Sequence, residues 1–166
     1  MPQATIAPCL WFDTQAEEAA NFYISIFPNS RIINILRYGE AGKEVHGKPP
    51  GSVLTVEFEL DGQLFTTLNG GPVFKFNEAV SLQIDAPTQE RIDHYWDKLK
   101  EGGDPSARQC GWLKDKYGVS WQVFPMDLSR ELFSDPDDPK SQRAFAAMMD
   151  MKKIDIAELR KAYDGD

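Results

Sequence analysis

The chain carries one strand-to-helix junction twice, and this repeat restricts its fold more than any other feature. Residues 5–12 predict a strand, and apolar residues at helical spacing then predict a helix that Pro28 ends. Residues 79–85 and a helix that ends at Gly102-Gly103 repeat this order. A shift of 72 positions aligns three pairs at equivalent places: Asp13 with Asp85, Glu18 with Glu90, and Tyr23 with Tyr95. We infer an internal duplication, and therefore a fold assembled from two similar modules.

Further predicted strands follow each helix and complete its module. In the first module these strands cover residues 31–38, 53–60 and 63–69, with a loop at 39–51 and the hairpin signal Asp61-Gly62 between the last two. In the second module they cover residues 110–113 and 119–124, which join around Tyr117-Gly118. Pro8 interrupts the first strand of the chain and indicates an edge position or a bulge.

Beyond Pro125 the pattern changes to short helices. Residues 128–133, 144–151 and 155–163 predict a helical tail, and the acidic run at 135–139 fits a turn and helix cap better than the loop of an EF-hand. The tail contains many apolar residues, namely Phe145, Met148, Met149, Ile154, Ile156 and Leu159. We therefore expect it to pack on the sheet or on a second chain.

These elements together predict one α+β domain over residues 1–166. Module one spans 1–72, module two spans 73–126, and the helical tail spans 127–166. We expect two βαβββ modules whose curved mixed sheets surround a cavity.

The charge and composition exclude several classes of protein. The 166 residues include 18 Lys and Arg against 26 Asp and Glu, a formal net charge of −8. This charge repels phosphate backbones and anionic lipids, so we expect no binding to nucleic acid or membranes. A hydrophobic content of 42% excludes a disordered chain. No run approaches the roughly 20 apolar residues of a membrane span, and no signal-peptide pattern is visible, so we expect a cytoplasmic protein.

Neither the cysteines nor the histidines form a metal-binding pattern. Cys9 and Cys110 are far apart and no CxxC pair occurs, which predicts two reduced thiols. His46 lies in a loop rich in Gly and Pro, and His94 lies on a predicted helix beside Asp93. These positions fit surface histidines better than zinc ligands.

Polar residues alternate with apolar ones along several predicted strands. The polar set comprises Thr55, Glu57, Glu59, Thr67, Asn69, Ser81, Gln83, Ser120 and Gln122, and the aromatic residues expected beside it are Trp11, Phe65, Trp112 and Phe124. If these side chains line a concavity, they suit a small aromatic or carbonyl-bearing molecule, held by stacking and a few hydrogen bonds. A solvated outer face of the sheet would produce the same alternation.

Three side chains are candidates for chemistry. Glu57 is the candidate general base, since a carboxylate buried opposite aromatic rings can accept a proton from a ligand. Cys110 is a candidate ligand-binding residue, and a candidate nucleophile if Lys114 or Arg108 lies close to its thiol, although a buried inert thiol is the favoured alternative. Cys9 lies two positions before Trp11 on the first predicted strand, so both side chains are expected on the same face, towards the cavity. Core packing is again the favoured role for Cys9.

Several motifs resemble those of the PhnB-like branch of the vicinal oxygen chelate superfamily. This superfamily includes glyoxalases, extradiol dioxygenases and bleomycin-resistance proteins, and the branch is labelled a 3-demethylubiquinone-9 3-methyltransferase domain. The matching segments, which extend over nearly the whole chain, are residues 8–12, 16–23, 27–30, 68–72, 74–76, 110–115 and 151–155. The resemblance implies paired βαβββ modules around a cavity that a second copy often completes, and therefore a homodimer.

The resemblance also implies where a metal ion would bind in metal-using members. The equivalent positions here hold Ala7, Thr55, Ala79 and Gln122, of which only Gln122 is an ordinary ligand. Glu57 lies two residues after Thr55 on the same face, but one carboxylate and one amide rarely hold a divalent ion. We therefore expect no metal site and no cofactor, with a divalent metal as the disfavoured alternative.

Three functions remain open from the sequence. The first is a homodimer that binds a small molecule without metal and without chemistry. The second is an enzyme, either a lyase or dioxygenase that uses Glu57 and Gln122 around a metal, or the labelled methyltransferase. No G-x-G-x-x-G follows a predicted strand, so the usual nucleotide cradle of a methyltransferase is missing. The third is an interaction module that uses the Met-rich tail.

Overall fold

The computed structural model describes residues 6–165, so Thr5, where the first predicted strand starts, lies outside the described residues. The chain divides into two compact units between Lys75 and Phe76, close to the predicted boundary between the modules. Both units contain helices and strands, and the predicted α+β class is confirmed. Among residues 6–165, no helix is both long and apolar enough to span a bilayer.

The first unit has the predicted βαβββ order with one added helical turn. Its four strands form a sheet in the order β1-β4-β3-β2, in which β1 runs parallel to β4 and the other pairs are antiparallel. Pro8 precedes the edge strand β1, where its missing N–H leaves no gap in the sheet. The elements are β1 (Cys9–Phe12), α1 (Ala16–Ile26), β2 (Arg31–Arg37), α2 (Lys43–His46), β3 (Val53–Leu60) and β4 (Gln63–Asn69).

Helix α1 covers one face of this sheet. Its buried residues recur at helical spacing and include Ala16 and Tyr23, neither of which has any exposed surface. On β3 the alternate residues Val56, Phe58 and Leu60 are buried beneath the helix. The strand period of two therefore divides β3 into a face that packs on α1 and an opposite face.

The second unit repeats the parallel pairing of a first and a last strand. Its sheet has the order β5-β7-β6, with β5 parallel to β7, and Tyr95 is buried on the helix as Tyr23 is in the first unit. The described residues form three strands here, where the duplication implied four. A turn of 3-10 helix at Pro105–Ala107, capped by the Asp104 side chain, occupies that part of the chain. The elements are β5 (Leu82–Asp85), α3 (Gln89–Leu99), β6 (Trp112–Lys114) and β7 (Ser120–Phe124).

The helical tail is an integral part of the second unit. The backbone N–H groups of Cys110 and Gly111 donate to the carbonyls of Met151 and Lys152, each at 2.8 Å, and Ile154 is fully buried. Of the two alternatives that the sequence leaves open for the tail, the sheet or a second chain, the structure shows packing within its own unit. Its helices are α4 (Met126–Leu132), α5 (Pro139–Asp150) and α6 (Ile156–Asp164).

Helix α5 begins five residues earlier than the predicted start at residue 144. Asp138 accepts a hydrogen bond from Lys140 N through its side chain, and Pro139 occupies the first turn, where its missing N–H is harmless. The acidic run at 135–139 therefore forms a turn and a helix cap, as predicted.

Candidate functional site

The face of the first sheet opposite α1 brings polar and apolar side chains together in two rows. One row, across the strands, consists of Cys9, Thr66, Glu57 and Asn34, and the next consists of Trp11, Leu68, Thr55 and Leu36. We call these eight residues the first open face. Glu57 lies at its centre, directly opposite Thr66 on one side and Asn34 on the other.

The carboxylate of Glu57 is available to a ligand. The residue is half-buried, and within residues 6–165 it makes no hydrogen bond or ion pair. Glu59, two positions further along β3, differs because its Oε2 lies 3.0 Å from Nη2 of Arg31. A half-buried carboxylate without a protein partner can accept hydrogen bonds from a bound molecule.

Trp11 is held rigidly at the edge of the first open face. Its indole Nε1 donates to the carbonyl of Gly71 at 2.8 Å, and its ring lies edge-to-face against Phe74 with 4.9 Å between the ring centres. A Cβ atom on Gly70 would lie only 2.1 Å from the indole ring. Glycine at position 70 therefore lets the backbone pack directly on Trp11, which fixes the ring for stacking.

The structure corrects the prediction that Phe65, Thr67 and Asn69 face a cavity. All three point to the side of the sheet that α1 covers. Asn69 Oδ1 accepts from Ala16 N at 2.8 Å, and Thr67 Oγ1 donates to Ala16 O at 2.9 Å. Phe65 stacks on Phe58 with 5.6 Å between the ring centres.

The physical reason for this correction is the register of the hairpin. The two-residue turn Asp61-Gly62 pairs Leu60 with Gln63, so Glu57 must pair with Thr66 rather than with a neighbour of opposite parity. The turn signal alone predicts this pairing, so the sequence contained enough information to place Thr66 beside Glu57, although Thr66 was not among the predicted site residues. Asn34 was missed because β2 carries irregularities in its register that the sequence does not announce.

The second sheet presents a comparable row on the face opposite α3. Gln83, Gln122 and Trp112 are lateral neighbours on β5, β7 and β6. Gln83 Nε2 donates to Gln122 Oε1 at 3.2 Å, and Gln122 Nε2 donates to Ser81 Oγ at 2.7 Å. The Trp112 indole makes no hydrogen bond to any residue among 6–165. We call Gln83, Gln122 and Trp112 the second open face.

The condition for a nucleophilic Cys110, a cation beside its thiol, is not met by Lys114 or Arg108 in the structure. Lys114 pairs with Glu78, and Nη2 of Arg108 donates to the backbone carbonyls of Lys100 and Gly103. Both cations are therefore engaged away from the thiol. Cys110 Sγ instead lies 3.8 Å from the sulfur of Met149.

Cys9 lies on the first open face but is a poor nucleophile. Its thiol is partly buried, and this desolvation raises the pKa of Cys9 above its ordinary value of 9.0. The group is therefore a neutral thiol at neutral pH. Since the thiolate is the reactive form, Cys9 acts here as a small apolar surface.

The residues at the four implied metal positions do not fit a divalent ion. Ala7 and Ala79 have no donor atom, and both ends of the Gln122 amide are engaged by other side chains. Nδ1 of His46 accepts from Lys48 N at 3.0 Å within its own loop. In the part of the chain that the structure describes, no three His, Cys, Asp or Glu side chains lie close enough together to hold a metal.

Comparisons with known proteins identify the family and the fold. A family model described as 3-demethylubiquinone-9 3-methyltransferase matches residues 4–124. A PhnB protein from Bacillus cereus is 38% identical, with a TM-score of 0.61 over 72% of this chain and 98% of that chain. Protein PA1353 from Pseudomonas aeruginosa is similar in fold, at 17% identity and a TM-score of 0.56 over 73% of this chain and 96% of that one. No curated protein is significantly similar to this chain.

Proposed function

Because the chain belongs to the 3-demethylubiquinone-9 3-methyltransferase family and, with PhnB, to the vicinal oxygen chelate superfamily, we propose that it binds a small aromatic or carbonyl-bearing molecule on its open sheet faces. The observation that carries the proposal is the half-buried carboxylate of Glu57, which has no partner among residues 6–165 and lies in a row with Thr66 and Asn34. The family relationship by itself specifies no ligand.

The first open face offers the two kinds of contact that such a ligand needs. Trp11 and Leu68 provide an apolar surface on which a ring can stack. Glu57 accepts a hydrogen bond from a hydroxyl or N–H of the ligand, and Thr66 and Asn34 donate to a carbonyl oxygen. The resulting preference is for a ring that carries neighbouring hydroxyl and carbonyl groups.

The second open face supports binding of the same chemical class. Trp112 offers a ring surface and an indole N–H that has no partner among residues 6–165, and the linked amides of Gln83 and Gln122 offer oriented polar groups. The proposed ligand-binding residues are therefore Trp11, Thr55, Gln83, Trp112 and Gln122. Phe65 and Asn69 are excluded because α1 covers their side of the sheet.

Two glutamates on one strand provide the test of this binding. Small aromatic and carbonyl compounds would be screened by thermal shift, and the best one titrated by calorimetry. Glu57→Gln should weaken binding by about tenfold, as expected for a lost charged hydrogen bond. Glu59→Gln, on the same strand but with its carboxylate paired to Arg31, should leave binding unchanged. Equal affinity of both variants and the unmodified protein would refute a role for Glu57.

Binding without a metal is part of the proposal, since the donor set described above does not fit a divalent ion. Elemental analysis after purification without chelators should find no stoichiometric metal. Zinc, nickel, manganese, iron and magnesium should leave the melting temperature unchanged, because a bound metal would stabilise the folded state. A stoichiometric, stabilising metal would overturn this part of the proposal.

A second candidate function is catalysis with Glu57 as general base, and the same unpartnered carboxylate favours it. A base needs a free carboxylate within reach of the ligand proton, and Glu57 meets the first condition. Glu57→Gln should then abolish turnover of a ligand found in the screen while most of the binding remains. Unchanged turnover in this variant would reject Glu57 as the base.

We further propose that the protein is a cytoplasmic homodimer. Ile33 and Leu36 are about half exposed on β2, the other edge strand of the first sheet, and a second copy would cover them. The two free cysteines fit a reducing compartment. Sedimentation should give twice the chain mass, and Ile33→Glu should give a monomer.

A further inference from the structure

Beside the second open face lies a buried hydroxyl that the proposed function does not use. Ser120 is only 2% exposed, and its Oγ atom has no hydrogen-bond partner within residues 6–165. A buried hydroxyl without a partner is costly, so native proteins rarely keep one. The hydroxyl of Ser120 therefore indicates that a partner group binds beside it.

Ser120 is on the same side of its sheet as the second open face. Its neighbour Trp121 is buried on the side that α3 covers, and residues two apart on a strand share a face, so Ser120 shares a face with Gln122. Lys114 on β6 is directly opposite Ser120, which brings the two Cβ atoms to about 5 Å. Trp112 shares this face two positions before Lys114, about 7 Å along the strand.

A carboxylate of the protein already occupies the place beside Lys114. Glu78 forms an ion pair with Lys114, and this hydrogen bond holds the pKa of Glu78 below its ordinary value of 4.5, so the group is charged at neutral pH. The Lys114 side chain is 22% exposed, whereas that of Glu78 is 61% exposed. A pair with so exposed a partner contributes little to stability, so another carboxylate can displace Glu78 at small cost.

Residues 78–81 contact the two residues next to Ser120 on this face. Glu78 pairs with Lys114, and Ser81 Oγ accepts from Gln122 Nε2 at 2.7 Å, which accounts for the burial of the Ser120 hydroxyl. The other carboxylate that the charge of Lys114 stabilises, Asp104, accepts from N and Oγ of Ser106 at 2.8 and 2.7 Å. Asp104 is thus engaged in its own turn.

We propose that Glu78 occupies the place of a ligand carboxylate, and that the second open face binds a small aromatic carboxylate. Once Glu78 leaves, the two carboxylate oxygens accept hydrogen bonds from Lys114 Nζ and Ser120 Oγ, and the ring packs on Trp112. The chemistry follows from the group already present, because a substitute for Glu78 must neutralise Lys114 and accept from a hydroxyl. This inference rests on the proposed function and adds the charge and the anchor of the ligand.

Benzoate and benzamide are the probes that test the proposal, because they share a ring and a carbonyl and differ in charge. Each would be titrated into the full chain and followed by NMR of backbone amides. Benzoate should bind saturably with shifts in residues 112–122, and benzamide should bind at least about tenfold more weakly, as expected for a lost charged hydrogen bond.

The variant Glu78→Gln separates displacement from simple attraction to a lysine. Because it removes the competing carboxylate, it should tighten benzoate binding by about threefold, the scale of an exposed ion pair. Glu101→Gln, which makes the same change of charge at an exposed position after α3, should leave the affinity unchanged.

Lys114 and Ser120 are tested by removing each donor. Lys114→Met should weaken benzoate by at least about tenfold, Lys114→Arg should retain most of the binding, and Lys98→Met on the exposed side of α3 should change nothing. Ser120→Ala should weaken benzoate by about tenfold. It should not lower the melting temperature, since the hydroxyl has no partner among residues 6–165.

Three results would overturn the proposal. The first is no saturable shift in residues 112–122 up to the solubility limit of benzoate. The second is benzoate binding that Glu78→Gln leaves unchanged or weakens, and the third is binding that survives Lys114→Met. If neutral ligands still bind in a manner that depends on Glu57, the proposed function stands while this inference fails. If neither they nor benzoate bind, both fail.

Discussion

At the scale of single residues, the buried carboxylate of Asp115 organises the turn between β6 and β7. It is 2% exposed and accepts hydrogen bonds from Tyr117 N at 2.9 Å, Val119 N at 3.1 Å and the Trp121 indole at 2.8 Å. Asp115→Asn places an NH₂ group against one of these donors. We expect it to lower the free energy of unfolding by about 3 kcal/mol, measured by urea denaturation.

A double-mutant cycle isolates the indole contact of Asp115. Trp121→Phe removes the indole donor, so Asp115→Asn should cost about 1 kcal/mol less in that background. The same cost in both backgrounds would show that the backbone donors alone hold the carboxylate.

Asn69 is a second residue whose side chain joins distant parts of the first unit. The N-cap residue Gln15 provides no side-chain cap to α1. Asn69 on β4 accepts from Ala16 N instead and donates to Val53 O at 3.1 Å. Asn69→Ala should therefore cost about 2 kcal/mol.

Hydrogen exchange provides a specific readout for Asn69. The amide of Ala16 should exchange faster in Asn69→Ala, because its acceptor is gone. Gln63→Ala, an exposed substitution on the same strand, should change neither stability nor this exchange rate. Slow exchange at Ala16 in the Asn69 variant would mean that another group caps the helix.

At the scale of elements, the β3–β4 hairpin determines which side chains share the first open face. Asp61 and Gly62 both have positive φ, at 46° and 85°, as a two-residue type I′ turn requires. A Cβ atom on Gly62 would meet nothing within 4 Å, so Gly62→Ala tests backbone strain alone. We expect a loss of about 1 kcal/mol in unfolding free energy.

The matched control is Gly39→Ala, in a loop where φ is not positive and a Cβ atom has room. It should leave stability unchanged or raise it slightly, because alanine restricts the unfolded chain. A similar loss at both positions would show that the turn conformation is not the cause.

At the scale of the whole molecule, the ion pair between Asp93 and Lys153 ties α3 to the helical tail within the second unit. Lys153 Nζ lies 2.5 Å from Asp93 Oδ1, and hydrogen bonds from Lys153 and then Gln89 hold the pKa of Asp93 below its ordinary value of 3.8. A lowered folded-state pKa means that protonation favours unfolding. This contribution to stability is present above pH 3.8 and is lost as the pH falls through the folded-state pKa.

Asp93→Asn should therefore reduce stability near neutral pH and flatten the loss of stability below pH 3.8, as measured by urea denaturation across pH. The size of the effect is modest because the pair is partly exposed to solvent. Glu90→Gln, an exposed carboxylate on the same helix, should keep the acid profile of the unmodified protein. Parallel profiles for Asp93→Asn and the unmodified protein would contradict the assignment.

Local patterns in the sequence determined the helices, the hairpin and the α+β class. The strands Val53–Leu60 and Gln63–Asn69 were predicted with the bounds that the structure has, because alternation and the Asp61-Gly62 turn are properties of neighbouring residues. The central place of Glu57 on one face of β3 follows from the same alternation. The family motifs were also visible, and the match over residues 4–124 confirms the family, although the motif at 151–155 lies beyond the matched residues.

Only the tertiary structure decided which side chains are free to meet a ligand. Polarity alone placed Asn69 on an open face, but a partner 53 positions away, Ala16, engages its side chain. Lys114 pairs with Glu78, whereas the carboxylate of Glu57 has no partner among residues 6–165. Alternation along a strand separates its two faces, whereas long-range packing selects the face that a helix covers and the polar groups that remain unpaired.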